Sequence, residues 1–242
     1  MQAKLALPPR LTVAAPLRLS APLMTAGSTE NLPAEAEIAI AHTPPELRGA
    51  LTILFELDHR LARIVAATTE PMLGQMRIAW WRDVLSSPPH DRPVGDAVLD
   101  GIGEHWMERE RALIDLVDGW EHMLATPSLG EADAEALISA RCEAILAVFG
   151  VHDRGAAPSY EAAARAWAIA DMAAKVSHPD ERTLILRLWR DRPGQSAKLP
   201  QEARGLAVLG ALGARALRRG GRPLMEGRTA SLVATRAAIL GR

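Results

Sequence analysis

A chain of 242 residues, 48% hydrophobic and rich in Ala and Leu but with only six Trp, two Phe and one Tyr, is long enough for one helical domain with a sizeable core and poor in material for strands. Its single cysteine, Cys142, excludes a disulfide framework and any zinc site built on several cysteines; set among apolar residues, it reads as a buried structural thiol. The net charge of −1 conceals an asymmetry: residues 1–181 carry 15 basic and 26 acidic side chains, whereas residues 182–242 carry 13 and 3, so the two parts either neutralise each other across the fold or leave a basic face for an anionic partner.

Residues 1–30 have no acid before Glu30, as in a transit peptide, but Pro8, Pro9, Pro16 and Pro22 break any amphipathic helix. With no uninterrupted apolar region and no clear cleavage site, they read as a poorly ordered tail, with Met24 an alternative start, ahead of a helical domain over 31–242. A short helix is expected over 34–42, stopped by Thr43-Pro44-Pro45. In 46–69, Leu51, Leu54, Leu57, Leu61 and Val65 recur at spacings of three and four, the mark of one buried face. Pro71 opens the next helix, to Ser86, which carries Trp80, Trp81, Arg82 and Asp83.

Further helices are expected over 93–106, 108–125 and 131–149, the last capped by Gly150, and then over 160–176 and from about 177 to 189. Two basic helices, 201–219 and 223–240, close the chain. The expected fold is all-α, a single helical bundle domain. No apolar run reaches the roughly 18–20 residues of a membrane span, so the expected setting is cytoplasmic, with peripheral membrane contact through the basic C-terminal helices. The seven histidines show no metal-ligand spacing, and no Gly-rich phosphate loop or Ser-His-Asp arrangement emerges. Without interleaved aromatics after Trp189 or a nucleic-acid motif, a nucleic-acid partner is not expected.

Residues 51–85, LTILFELDHRLARIVAATTEPMLGQMRIAWWRDVL, resemble the early helices of the squalene/phytoene synthase family, most closely a divergent branch in which a double Trp followed by Arg-Asp recurs. Weaker echoes extend the resemblance over 34–242. The resemblance implies an isoprenoid-synthase type of bundle around a mostly apolar cavity, near segments 51–63 and 160–176, with Ala62 and Ala66 on its wall or behind it. It also implies head-to-head condensation of two prenyl diphosphates, in which Mg²⁺ held by aspartates on two facing helices neutralises the leaving diphosphate.

This chain departs from that pattern at the first cluster. Where catalytic relatives carry Asp-Asp-Ile-Val-Asp, it reads Ala62-Arg63-Ile64-Val65-Ala66. A guanidinium repels Mg²⁺ but can hold a phosphate or carboxylate itself. The second cluster falls near 171–181, with Ser177 and Glu181 in the best register and Asp171 or Asp180 as alternatives. Ser177, Pro179, Asp180 and Glu181 also read as a capped helix start.

The candidate ligand-binding residues are Arg63, Asp58, Arg77, Trp81 and Asp171, with no catalytic or metal-binding residue assigned. Asp58 also reads as a salt bridge or surface charge, Arg77, Arg82 and Asp83 as ion-paired surface residues, and one of the two tryptophans as core. The leading expectation is a non-catalytic member that binds a prenyl diphosphate, another lipid-like ligand or a protein partner and uses no cofactor. The resemblance supplies a precedent in a mitochondrial branch that acts in assembly of respiratory complex I. The alternative is an active prenyl transferase with an altered Mg²⁺ site.

Overall fold

The computed structural model describes residues 32–125, 128–152, 157–191 and 198–242; the tail expected over 1–30 lies outside them. The described residues form ten α-helices and no strand: α1 (Ala34–Ala41), α2 (Pro45–Ala67), α3 (Pro71–Ser86), α4 (Ala97–His105), α5 (Glu110–Ala125), α6 (Glu131–Val148), α7 (Pro158–Lys175), α8 (Pro179–Asp191), α9 (Arg204–Arg218) and α10 (Thr229–Leu240). Prolines open α2, α3 and α7 at the first turn, where the missing N–H is one that no helical carbonyl would accept. Gly150 ends α6 with φ +69°: its N–H donates to Ala147 O and that of Val151 to Leu146 O, the paired closure of a glycine-capped helix.

Three expected boundaries move. The helix expected from residue 93 begins at Ala97, because Gly95 takes φ +89° and the Asp96 carboxylate accepts the N–H groups of Val98 and Leu99. The helix expected from 201 begins at Arg204, after a tight turn at Gln201–Ala203. The helix expected from 223 begins at Thr229, because Arg215 and Arg219 hold the Glu226 carbonyl and Gly227 sits at φ +84° in the preceding turn. Pro179 is the first residue of α8, and its cap position falls on His178, whose Nδ1 accepts the Asp180 N–H at 3.3 Å, rather than on Ser177.

α6 lies at the centre, packed against α2, α5, α7 and α8, and from Ala134 to Val148 most of its residues are buried. Cys142 is fully buried there. α3 packs on α5, α10 on α9, and α1 lies across α9 and α2. The closest pair is α7 and α9. A Cβ on Gly213 would stand 2.5 Å from the Ala166 carbonyl oxygen, and one on Gly210 would stand 2.8 Å from the Ala163 Cα. Both glycines therefore meet backbone that cannot swing aside. Gly213→Ala should force α7 and α9 apart and cost about 1–3 kcal/mol. For a chain of this size each kcal/mol lowers the melting midpoint by about 2–4 °C, which thermal unfolding monitored by circular dichroism would read directly.

Candidate functional site

Asp58, Arg141 and Asp171, among the described residues, form a charged cluster in the interior. Asp58 belongs to the buried face of α2, in phase with Leu54, Leu57, Leu61 and Val65. Asp171 belongs to the buried face of α7. Between them, from α6, comes Arg141, whose side chain is 2% exposed. Its Nε and Nη2 donate to the two oxygens of Asp58 at 2.9 and 2.6 Å, and its Nη1 donates to Asp171 at 2.8 Å. The guanidinium lies between two indoles, 5.1 Å from the Trp120 ring centre and 5.3 Å from that of Trp167. Trp120 Nε1 donates to Asp58 at 2.8 Å, and Lys175, one turn beyond Asp171, donates to it at 2.8 Å.

Two carboxylates, one guanidinium and one partly exposed ammonium compensate one another here. Burial alone would lower the Arg141 pKa, but Asp58 and Asp171 outweigh it and raise it above its ordinary value. Burial likewise pushes the Asp171 carboxyl up, and Lys175 and Arg141 together overcome it and hold the carboxyl below its ordinary value. Glu35, half-buried in the first turn of α1, faces the same cluster. Burial and then the Asp171 charge raise its pKa, with Lys175 opposing.

Among the described residues no apolar cavity opens beside Asp58 and Asp171 between segments 51–63 and 160–176, where one was expected. The two segments do meet, with Phe55 edge-on to Trp167 at 5.6 Å, but the space beside Asp58 and Asp171 amounts to about 20 Å³. Arg141 and the indoles stand beside the two carboxylates, and Pro33, Glu35 and Ala36 are among the residues that line the small remaining space. Ala62 packs against the core, and Ala66 is half-buried.

Of the five candidate residues, the structure joins two, Asp58 and Asp171, through Arg141. Arg63 is exposed; it lies five residues past Asp58, well round the helix from the buried face. Arg77 is exposed on α3. Trp81 is core, with the Arg60 guanidinium 5.9 Å from its ring centre and Arg60 in turn bonded to Asp96 at 2.6 Å. Arg82 is ion-paired with Asp118 and Glu121 of α5. Trp80 is 46% exposed and continues an apolar stripe through Met72, Leu73 and Met76.

Sequence reading passed over Arg141, Trp120, Trp167, Lys175 and Glu35. Arg141 had a signal: it stands at helical spacing among Leu137, Ile138, Ala144 and Ile145, a buried face on which a guanidinium requires carboxylates nearby. No family model, curated protein or solved structure matches the chain.

The site makes two sharp expectations. Arg141→Ala leaves two carboxylates buried without their shared cation and should cost about 3–5 kcal/mol, seen as a lower denaturation midpoint in urea. Because the folded-state pKa of Asp171 is depressed, its stabilisation is present above 3.8, the ordinary carboxyl value, and is lost as pH falls through the lower folded value. Asp171→Asn should therefore melt below the wild type at neutral pH, with the gap closing under acid.

Glu35 carries the opposite sign. Its raised folded value means that the neutral form suits the fold, so Glu35→Gln should raise the melting midpoint at neutral pH. That gain should fade as pH falls and vanish below 4.5, the ordinary value, which a pH series of thermal melts would resolve.

Proposed function

We propose that this chain is a non-catalytic, squalene/phytoene synthase-like helical bundle that acts by binding rather than by condensing prenyl diphosphates. The observation that carries the reading is Arg141. Mg²⁺-dependent ionisation of a diphosphate needs carboxylate oxygens on facing helices free to coordinate the ion. Asp58 and Asp171 do face each other from α2 and α7, but both are bonded to one guanidinium, and Lys175 adds a second cation to Asp171.

Mg²⁺ does not fit these residues: it would have to displace a cation held by three hydrogen bonds and two indole faces. A space of about 20 Å³ beside them holds no prenyl chain. Arg63, exposed on α2, stands outside this interior and adds nothing to it. These features favour a surface as the working part of the molecule, whether its partner is a lipid or a protein.

Incubation of the full chain with farnesyl or geranylgeranyl diphosphate and Mg²⁺ should give no condensation product. Mg²⁺ alone should leave the melting midpoint unchanged, since an ion bound only by the folded state raises it. Metal-dependent formation of squalene, phytoene or presqualene diphosphate would overturn the reading.

A further inference from the structure

The basic character of residues 182–242 is not cancelled by the fold. Residues 198–242 contain nine basic side chains against Glu202 and Glu226. Among the described residues the ion pairs of this segment come down to Arg222 with Glu226, at 3.5 Å. Arg215 donates to the Glu226 carbonyl and the Thr229 hydroxyl, Arg219 to the Glu226 carbonyl, and Arg204 to the Leu199 carbonyl. Arg218, Arg228 and Arg236 are exposed and have no carboxylate partner among the described residues.

The outer face of α10 arranges these charges. Its inner face, Ala230, Ala234 and Ala237, is buried, and α10 packs on α9. Arg228, Leu232, Arg236 and Ile239 follow at spacings of four, four and three, with Thr235 beside them, so they form one exposed stripe. Leu232 is 70% exposed and Ile239 67%. Beside this stripe a half-open crevice of about 270 Å³ runs between α7, α9 and α10. Its walls are small and apolar, Ala163, Ala166, Gly210 and Ala214 among them, and Arg218 and Arg236 stand at its lining.

We infer that the outer face of α10, with the adjoining crevice, docks on the surface of an anionic phospholipid bilayer. The inference rests on the binding role proposed above and names the partner. Arginines without carboxylates match lipid phosphates in charge and in paired hydrogen-bond geometry. Isolated aliphatic side chains between them are suited to the boundary between headgroups and acyl chains. The crevice adds what a flat acidic protein face would not use, an apolar slot flanked by cations, fitting a phosphate with the start of an acyl chain below it. Among the described residues no helix is long and apolar enough to cross a membrane, so the contact is with the surface.

The test is co-sedimentation of the full chain with phosphatidylcholine vesicles, with and without phosphatidylglycerol, across a salt series. The chain should pellet only with phosphatidylglycerol present, and less as salt rises. Each arginine charge near such a surface contributes about fivefold in affinity, so Arg218→Glu with Arg236→Glu should lower vesicle affinity by a factor of at least about 25. Leu232→Asp with Ile239→Asp should also weaken binding, while reversal of the exposed Arg111 on α5 should not. All these positions are on the surface, and unchanged thermal melts would confirm folding. No pelleting with phosphatidylglycerol at low salt, equal pelleting with phosphatidylcholine alone, or binding indifferent to the Arg218 and Arg236 reversals would overturn the inference, the first pointing to an acidic protein. None of these outcomes bears on the prenyl-diphosphate assay, so this inference and the non-catalytic reading fail separately.

Discussion

A guanidinium at the middle of a helical bundle imposes conditions on everything around it. Arg141 sits on the central helix, so it cannot reach water, and an unpaired charge there would be prohibitive. Carboxylates must therefore come to it, one from α2 and one from α7, and the indoles of Trp120 on α5 and Trp167 on α7 lie against it as polarisable surface. One side chain thus fixes the relative placement of four helices. Hydrophobic packing alone is tolerant of sliding; a bidentate contact to Asp58 and a single contact to Asp171 are not. The cluster is better understood as setting which arrangement forms than as adding net stability, because desolvation consumes much of the attraction.

The same cluster determines what the interior is able to do. Two carboxylates on facing helices are the elements of a cation site, and here the cation is covalently part of the protein. Guanidinium and indole occupy the interior beside the two carboxylates, where about 20 Å³ is left open. Exposed side chains form stripes on α3 and α10. These surfaces differ: the α3 stripe is apolar, whereas the α10 stripe alternates aliphatic and cationic side chains.

The crevice beside α10 follows from how α7 and α9 meet. Gly210 and Gly213 let the two backbones approach closely, and the alanines lining the seam keep it shallow in side-chain bulk. Small residues along the seam leave unfilled width beside it, and α10 lines one side of that space. Arginine at that opening is tolerated because its charge reaches water while its stem covers alanine.

The helices, their number and most of their limits were legible in the sequence because apolar periodicity and proline stops are local. So was the burial of Cys142 and of the Leu51–Val65 stripe. The limits at Ala97 and Thr229 were not, since each depends on a turn fixed by a bond to a side chain or by a glycine at positive φ, nor was that at Arg204, which follows the tight turn at Gln201–Ala203. That Ala62, Arg63 and Ala66 bring no carboxylate to α2 was likewise written in the sequence. The interior cluster was not: Asp58, Arg141 and Asp171 are separated by 83 and 30 residues, and no spacing rule joins them. Only the packing of α2, α6 and α7 decides that they share one buried point, because a charge finds its partner through space and by the cost of leaving it without one.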